Sequence, residues 1–349
     1  MIDPAIQSVV DVARFQNWCV DHVPGFVSGE FAIRRIAGGA SNLTMLIQQD
    51  DNRWVLRRPP LGKYLPTAHD VGREFAFYRA LHGSTVPVPQ PHALCDDPAV
   101  MGAPFYVMEF LDGRVLSAAA DALPIPIDAR STFCMEFART LVRIHNVDID
   151  AVGLGAIAKR SGYLERQLKR WTEQWHIAGE GHSAALTEVS RRLAAARPRH
   201  SSTSIVHGDY RIGNVMIGSF EKANIVAVFD WEMATLGDPL ADLGYALIFW
   251  GSQYPHLDET SAIPDLPGFL DEKQLVAAYQ AAGGILSAPI DYYKIFALFK
   301  LAVITQGHSE RQLRHAGAVD SALTRHRDGL AEMALDIASR SGLPGLRPR

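Results

Sequence analysis

The sequence reads H-G-D-Y-R-I-G-N from His207 to Asn214 and V-A-V-F-D-W from Val226 to Trp231. Asp209 and Asn214 lie five positions apart in the first run, and Asp230 ends the apolar part of the second. Between the runs, Val215–Gly218 and Ile225–Phe229 flank a turn, which is typical of a short β-hairpin. The pattern predicts a loop and a hairpin that present a carboxylate, an amide and a second carboxylate at one site.

These side chains are typical of a phosphoryl-transfer site. Asp209 would accept the proton of a substrate hydroxyl, while Asn214 and Asp230 would hold Mg²⁺ against the phosphates of ATP. Protein kinases space the same roles as H-R-D-x-x-x-x-N and then D-F-G. The tripeptide H-G-D alone is a weak signal, and Asn214 at its offset strengthens it. We interpret His207 as a structural residue that supports the loop.

Composition and charge limit the class of protein. The 349 residues suffice for two lobes with separate cores, and the net charge of -4 gives no basis for a nucleic-acid partner. Cys19, Cys95 and Cys134 show no C-x-x-C spacing, which argues against a disulfide framework or zinc site. No signal peptide is visible, and two lysines interrupt the apolar run Tyr292–Ile304. We expect a soluble, cytoplasmic protein with no membrane partner.

The N-terminal part of the chain alternates helix and strand signals. Asp3-Pro4 is a helix start, and an amphipathic helix is predicted over residues 4–23. Strand-like runs separated by turns predict a small antiparallel sheet. These strands are predicted at 31–36, 43–48, 53–57 and 104–110, with a helix at 70–82 and extended chain at 86–89.

Beyond residue 113 the pattern becomes largely helical. Helices are predicted at 129–145, 162–177, 183–196, 239–250, 272–282, 290–306 and 319–341. We therefore expect an α+β fold. Its parts are a nucleotide-binding N-terminal lobe over residues 1–107, a hinge over 108–113 and a helical C-terminal lobe with the catalytic loop and substrate site over 114–349.

Several runs resemble the aminoglycoside phosphotransferase-like family of small-molecule kinases. They are H-G-D-Y-R-I-G-N, F-D-W-E-M-A at 229–234 and G-D-P-L-A-D-L-G-Y at 237–245. Within that family the chain resembles the phosphotransferase domains associated with acyl-CoA dehydrogenases, through runs at 38–44, 54–60, 69–75 and 162–171. The resemblance spans nearly the whole chain. It implies a bilobal, protein-kinase-like fold with a small antiparallel β-rich N-lobe and a mostly helical C-lobe.

The resemblance also implies which residues surround the nucleotide. A turn of Gly38, Gly39, Ser41 and Asn42 would cover the phosphates, since glycines let backbone N–H groups approach anionic oxygens. Read alone, this run is equally typical of a hairpin turn. Met108–Leu111 would form the hinge, whose backbone groups meet adenine, so Glu109 and Leu111 are predicted to contact the nucleotide.

Arg57 is the main departure from the wider kinase pattern. It takes the place of the strand lysine that pairs the nucleotide phosphates, and Glu74 takes the place of its carboxylate partner. A guanidinium stays charged and binds phosphate bidentately, but it is bulkier than an ammonium. Taken alone, Arg57 also reads as an exposed residue at a strand end, beside Arg58. The domains associated with acyl-CoA dehydrogenases resemble this chain in having arginine there, so we interpret Arg57 as functional.

Arg211 lies inside the predicted catalytic loop. A cation there would neutralise developing charge or hold an anionic substrate, so we predict that Arg211 acts with Asp209. Asp242 resembles the family's structural acid that holds the catalytic loop, and Asp238 is expected to cap the following helix. Weaker candidates for the same region are Arg166, Arg170 and Arg311.

We expect an enzyme that uses ATP, or alternatively GTP, and Mg²⁺ to phosphorylate a hydroxyl group of a small molecule. The resemblance favours a hydroxyacyl-CoA or a related hydroxylated metabolite as the acceptor. The sequence contains no indication of the oligomeric state.

Two other acceptors and one non-enzymatic function stay open at this point. An aminoglycoside would need a carboxylate-rich pocket, for which the candidates are Asp258, Glu259 and Asp265. Choline would need an aromatic cage, for which the candidates are Trp171, Trp175, Trp231 and Trp250. A non-catalytic, nucleotide-binding scaffold is favoured only by Arg57, because a scaffold needs none of the three polar groups at 209, 214 and 230.

Overall fold

The computed structural model describes residues 2–7, 10–36, 42–60, 70–177, 183–198, 202–251, 257–316 and 321–346. The chain divides into two units, of which the first comprises residues 1–113 and 226–234. The second comprises residues 114–225 and 235–349. The return of Val226–Ala234 to the first unit was not part of the division predicted from the sequence.

The first unit is built on a five-stranded antiparallel sheet in the order β1-β2-β3-β5-β4. The strands are β1 (Ala32–Arg35), β2 (Leu43–Gln49), β3 (Asn52–Arg58), β4 (Pro91–Cys95) and β5 (Phe105–Glu109). The four predicted strands are present. The edge strand β4 was missed because it begins with proline, a residue confined to strand starts and sheet edges.

Each face of this sheet packs on different partners, because successive strand side chains point to opposite faces. Trp54 and Leu56 of β3 belong to an apolar core cluster that also contains Phe15 and Phe105. Arg57 therefore points to the other face, which is covered by α3 (Val71–Leu81). Arg57 is thus directed at the helix that carries its partner Glu74.

The prediction of one continuous helix over residues 4–23 is wrong. The structure has a short helix α1 (Pro4–Gln7) and a separate helix α2 (Val12–His22). Asp11 begins α2 as its N-cap, and its side chain accepts a hydrogen bond from the backbone N–H of Arg14. The backbone N–H of Asp11 donates to the Val100 carbonyl, so the chain leaves helical geometry before α2.

The second unit contains the predicted long helices. They are α6 (Ile127–His145), α7 (Tyr163–Ile177), α8 (Ala184–Ala195), α9 (Leu240–Ile248), α10 (Glu272–Ala281), α11 (Ile290–Ala316) and α12 (Ser321–Arg340). The helix α11 extends ten residues beyond its predicted end at Gln306. Two further short helices are α4 (Pro98–Met101), in the first unit, and α5 (Ala119–Ala122).

Short strands position the two runs with which the sequence began. In the second unit β7 (Ser204–Val206) pairs antiparallel with β10 (Thr235–Gly237), and β6 (Arg114–Val115) pairs with β8 (Val215–Ile217). The loop 207–214 follows β7 directly, and β9 (Ile225–Val228) leads to Asp230. Within the described ranges, no helix has the length and apolar character that crossing a membrane requires.

Candidate active site

Three predicted residues of the first unit form one ion-pair network. The Nε of Arg57 donates to Oε2 of Glu74 at 3.0 Å, and its Nη2 donates to Oδ1 of Asp230 at 2.5 Å. The guanidinium is only 12% exposed, and the Glu74 side chain is fully buried. One buried cation therefore binds two carboxylates, and the reading of Arg57 as an exposed strand-end residue does not apply.

Helix α3 carries Glu74 into this buried position. Its N-cap Asp70 accepts a hydrogen bond from the backbone N–H of Arg73 at 2.9 Å, so the helix begins one turn before Glu74. Burial raises the pKa of Glu74 to about 7, although the charge of Arg57 opposes that rise. Burial alone would lower the pKa of Arg57, but the negative charge of Glu74 and Asp230 outweighs it, so the guanidinium stays charged.

Asp230 has a left-handed backbone conformation, with φ 67° and ψ 57°. Aspartate tolerates this region better than most residues, and such strain is typical of functional sites. The backbone N–H of Asp230 donates to the Tyr78 hydroxyl at 3.3 Å. The next residue, Trp231, is fully buried and stacks on Phe77 with ring centroids 6.1 Å apart. The surrounding contacts thus hold the carboxylate beside Arg57.

Asn42 is the one residue of the predicted phosphate-covering turn that lies in the described part of the chain. It is buried, and its Nδ2 donates to Oε2 of Glu232 at 3.3 Å. Gly38, Gly39 and Ser41 lie outside the described residues. The role of this turn stays a prediction.

The predicted hinge residues lie at the end of β5. Glu109 is half-buried, and its carboxylate accepts the backbone N–H of Gln90 at 3.1 Å. Its own backbone N–H donates to the Gln90 carbonyl at 2.8 Å. Leu111 follows β5 and is also half-buried. The predicted contacts of these backbone groups with adenine stay a prediction.

In the second unit, Asp209 and Asn214 are hydrogen-bonded to each other. The Nδ2 of Asn214 donates to the Asp209 carboxylate at 2.6 Å and to the Asp209 carbonyl at 2.8 Å. A 3₁₀ turn over Ile212–Asn214 brings the amide back to the carboxylate. Because the amide nitrogen faces Asp209, the side-chain oxygen of Asn214 points away from it.

Arg211 is fixed between two acids of the second unit. Its Nη1 contacts Oδ2 of Asp258 at 2.6 Å, and its Nε lies 3.5 Å from Oδ1 of Asp209. The other oxygen of Asp258 accepts hydrogen bonds from the backbone and hydroxyl of Thr260. A Cβ on Gly213 would lie 2.7 Å from Nη1 of Arg211, so a larger residue at 213 would require this guanidinium to shift. Arg211 is therefore a positioned cation beside Asp209.

Asp242 holds the start of the loop 207–214. Its carboxylate accepts the backbone N–H of His207 at 2.6 Å and that of Gly208 at 2.7 Å. These contacts are those expected of a structural acid, and the fully buried His207 supports the loop by accepting the Asp209 backbone N–H at 3.2 Å. Sequence reasoning missed His145, whose Nε2 lies 3.5 Å from Oδ2 of Asp242. No motif marks it, because it lies on the separate helix α6.

Asp238, Arg166 and Arg170 have structural partners in the second unit. Asp238 accepts the backbone N–H of Leu240 at 3.1 Å and the hydroxyl of Tyr293 at 2.7 Å, which confirms its capping role. Arg166 donates to the Lys159 carbonyl, and the Arg170 guanidinium lies 5.2 Å from the Trp171 ring centroid. The Arg311 side chain lies outside the described part of the chain.

Sequence reasoning also missed Lys300 as a residue of this region. Its Nζ donates to the Gly208 carbonyl at 2.5 Å. The signal that would have found it is a lysine within the apolar run of α11, where a charged side chain needs a specific partner. In total, the structure brings together Arg57, Glu74 and Asp230 in one unit, and Asp209, Arg211 and Asn214 in the other.

The ligand chemistry of both sets fits Mg²⁺. Asn214 offers a side-chain oxygen that its own hydrogen bonds leave free, and Asp230 offers a carboxylate that is 26% exposed. Mg²⁺ prefers oxygen ligands and is usually bound through one or two carboxylates together with substrate phosphates. Asp230 and Asn214 each offer an oxygen of the type that Mg²⁺ takes, and their role as metal ligands stays a prediction.

Known proteins resemble this chain over most of its length. A family model described as a phosphotransferase enzyme family, APH, matches residues 32–289. The chain is 34% identical over 333 residues to acyl-CoA dehydrogenase family member 10 of Mus musculus, covering 90% of this chain and 30% of that protein. The chain spans less than half the length of the curated acyl-CoA dehydrogenase relatives that it matches.

Solved structures share the fold. A Ralstonia eutropha protein provisionally described as an aminoglycoside phosphotransferase has a TM-score of 0.79 at 31% identity, covering 95% of this chain and 98% of that chain. The GDP complex of an aminoglycoside 2'-phosphotransferase-IIIa mutant has a TM-score of 0.63 at 14% identity, covering 92% and 96%. The predicted protein-kinase-like α+β fold is confirmed, as is the resemblance to domains of acyl-CoA dehydrogenase relatives.

Proposed function

Because the chain belongs to the phosphotransferase enzyme family, we propose that it transfers the γ-phosphoryl group of Mg–ATP to a hydroxyl group of a small metabolite. Mg–GTP is the alternative donor. The favoured acceptor is a hydroxyacyl-CoA or a related hydroxylated metabolite. The name of the mouse relative, an acyl-CoA dehydrogenase family member, supports this acceptor class.

The contact between Asn214 and Asp209 carries the proposal. It fixes a carboxylate and a free amide oxygen on one loop, which are the proton acceptor and metal ligand that phosphoryl transfer requires. Asp209 would take the proton of the acceptor hydroxyl. The oxygen of that hydroxyl forms a bond to the γ-phosphorus. The bond from that phosphorus to the β-phosphate oxygen breaks, and the nucleoside diphosphate leaves with its electron pair.

The network around Arg57 supports binding of the nucleotide phosphates. Its guanidinium is charged, is held by Glu74 at 3.0 Å and has further N–H groups to offer a phosphate. When Mg²⁺ is bound, it supplies positive charge that neutralises the transferring group. Asp230 and Asn214 would hold that ion. Arg57 pairs with Glu74, which takes the place of the carboxylate that pairs with the strand lysine of kinases. The presence of an arginine at position 57 therefore gives little support to a non-catalytic scaffold.

The surroundings of Asp209 support an anionic acceptor over the two alternatives. Arg211 lies beside Asp209, and Asp258 is engaged by Arg211 and Thr260 and so is poorly available to a polycationic aminoglycoside. The tryptophans considered for a choline cage are core residues, each at most 5% exposed: Trp171, Trp175, Trp231 and Trp250. These observations favour an acceptor that carries negative charge, such as a CoA thioester.

The test is a mass-spectrometric screen for phosphate transfer from Mg–ATP and Mg–GTP. The acceptors are hydroxyacyl-CoA thioesters of several chain lengths, free hydroxy acids, aminoglycosides and choline. Asp209→Asn is the matched control, because it keeps the shape of the side chain. Loss of the proton acceptor is expected to lower kcat by about 10²- to 10⁴-fold while Mg–ATP binding stays near that of the wild type.

The outcomes separate the candidate functions. A phosphorylated acyl-CoA that disappears with Asp209→Asn supports the proposal, and a phosphorylated aminoglycoside or choline would replace the acceptor class. Equal turnover by the variant and the wild type would remove Asp209 as the base. Binding of Mg–ATP without transfer to any acceptor would favour the scaffold.

A further inference from the structure

Lys300 is a lysine in the interior of the second unit. It lies on α11 among buried apolar residues such as Phe296 and Phe299, and is 8% exposed. A buried ammonium is costly unless polar groups compensate for its lost hydration. Its position on the buried face of the helix therefore calls for a specific partner.

That partner is the catalytic loop. The Nζ of Lys300 donates to the Gly208 carbonyl at 2.5 Å and lies 4.9 Å from the centroid of the Tyr245 ring. In the part of the chain that the structure describes, Lys300 forms no ion pair with a carboxylate. Asp209 and Asp242 nevertheless lie near enough for their charges to act on its ammonium.

The peptide between Gly208 and Asp209 is held from several sides. The Gly208 carbonyl of this peptide accepts from Lys300, and the Asp209 N–H of the same peptide donates to Nδ1 of His207 at 3.2 Å. The Gly208 N–H, one peptide earlier, donates to Asp242. Gly208 has a φ of 83°, which favours glycine, so the loop turns sharply just before Asp209. Asp242 thus anchors the entry to the turn, and Lys300 anchors its exit.

We propose that Lys300 is a positioning residue for Asp209, whose ammonium holds the Gly208 carbonyl and thereby fixes the carboxylate that accepts the substrate proton. The proposal rests on the proposed function, in which Asp209 is the base. It adds a charged group on α11 to the catalytic apparatus, far in sequence from the loop that it holds.

A pH dependence follows from the surroundings of Lys300. Burial lowers its pKa from the ordinary value of 10.5, Asp209 and Asp242 oppose this shift, and Arg170 adds to it. Above the lowered pKa the amine is neutral, and its hydrogen bond to the Gly208 carbonyl loses the contribution of the charge. Activity is therefore expected to fall at alkaline pH. The fall should begin at a lower pH than the one at which an exposed lysine loses its proton.

The experiment compares Lys300→Met, Lys300→Arg and a matched control in the full chain. The control is Lys294→Met, because Lys294 is a second buried lysine of α11 and pairs with Glu272 at 2.7 Å. For Lys300→Met we expect kcat to fall about 10- to 100-fold, the equivalent of losing one hydrogen bond to a charged group. The KM for the Mg–nucleotide should stay within about twofold, since no nucleotide contact is removed.

Lys300→Arg supplies the pH readout. Arginine stays protonated over the accessible pH range, so the alkaline fall of kcat should move to higher pH or disappear. Lys294→Met should keep the kcat and pH profile of the wild type. A kcat of Lys300→Met equal to that of Lys294→Met would overturn the proposal. A pH profile of kcat for Lys300→Arg that coincides with that of the wild type would also overturn it. This second comparison is decisive if Lys300→Met does not fold.

Hydrogen exchange gives a readout that does not depend on activity. Peptides covering residues 204–214 should exchange faster in Lys300→Met than in the wild type and in Lys294→Met. If the wild type transfers no phosphate to any acceptor, the proposed function fails, and this comparison still tests whether Lys300 holds the loop. Unchanged exchange in Lys300→Met would show that it does not.

Discussion

At the residue scale, Arg57 explains how this chain departs from the usual lysine. Its planar guanidinium donates through Nε to Glu74 and through Nη2 to Asp230 at the same time. A lysine ammonium offers rotating donors from a single atom and does not reproduce this fixed fork. The same side chain thus links the strand, the helix α3 and the segment after β9.

Asp230→Asn tests the metal-binding role of this carboxylate. Asparagine also tolerates the left-handed backbone, so the fold should persist. Loss of the charge should weaken binding of the Mg–nucleotide about 10- to 100-fold, which is the effect expected from losing one charge-assisted interaction. Calorimetric titrations with and without Mg²⁺ would measure this.

Asp112→Asn is the matched control for Asp230→Asn, because Asp112 also pairs with an arginine of the first unit but is largely exposed. It should bind the Mg–nucleotide like the wild type. If both variants bind equally well in Mg²⁺, Asp230 is not a metal ligand.

Glu74 makes the stability of the fold depend on pH. Its pKa rises from an ordinary value of 4.5 to about 7 on folding because the carboxyl group is buried. Between these two values the folded state binds more protons than the unfolded state, so stability falls as pH rises. For one proton the slope is at most about 1.4 kcal/mol per pH unit.

Urea unfolding of the wild type and of Glu74→Gln at several pH values between 4.5 and 8 would measure this slope. The free energy of unfolding of the wild type should decline relative to that of the variant, and level off above pH 7. Parallel curves would mean that folding does not raise the pKa of Glu74.

At the element scale, the alternation of β3 determines the chemistry of the first unit. Trp54 and Leu56 enter the apolar cluster, so Arg57 faces α3 and its Glu74. In the second unit, helices α9 and α11 approach closely at Gly244. This approach fixes α11, and with it Lys300, relative to the helix that carries Asp242.

Gly244→Ala should disturb this helix pair. An added Cβ would lie 2.6 Å from the Tyr293 carbonyl carbon and 2.9 Å from its oxygen, and backbone atoms cannot move aside as a flexible side chain would. We expect a loss of about 1–3 kcal/mol of unfolding free energy, the usual cost of overpacking. Gly342→Ala is the control, since no heavy atom lies within 4 Å of its added Cβ. Equal thermal stability of the two variants would contradict the close approach.

At the scale of the whole molecule, the first unit is discontinuous in sequence. Val226–Ala234 belongs to it through several contacts inside that unit. The backbone N–H of Val228 donates to the Pro87 carbonyl, and Arg73 donates to the Ala234 carbonyl. The fully buried Trp231 stacks on Phe77.

A fragment of residues 1–113 should therefore be less stable than the same fragment joined by a flexible linker to residues 226–234. Burial of Trp231 alone should contribute about 2 kcal/mol. Chemical denaturation followed by circular dichroism would compare the two. The joined fragment with Trp231→Ala is the control and should lose most of the gain. Equal stability of all three would mean that the segment does not belong to the first unit.

The sequence by itself determined those features that depend on local pattern and on the order of motifs. Periodicity predicted the long helices and four of the five strands of the large sheet. The spacing of Asp209, Asn214 and Asp230 indicated phosphoryl transfer, and the resemblance of the run around Asp242 to the family implied an acid that holds the loop. These features were readable because side chains close in the chain, or placed at fixed offsets, carry them.

Only the tertiary structure decided the features that join distant parts of the chain. Lys300 lies 92 positions from the Gly208 carbonyl that it holds, and Arg57 lies 173 positions from Asp230. The break before α2 likewise depends on the hydrogen bond from the Asp11 backbone N–H to the Val100 carbonyl. No local sequence pattern predicts this contact. The buried cations Lys300 and Arg57 need partners, and packing of the whole unit determines which distant group is near enough to bind them.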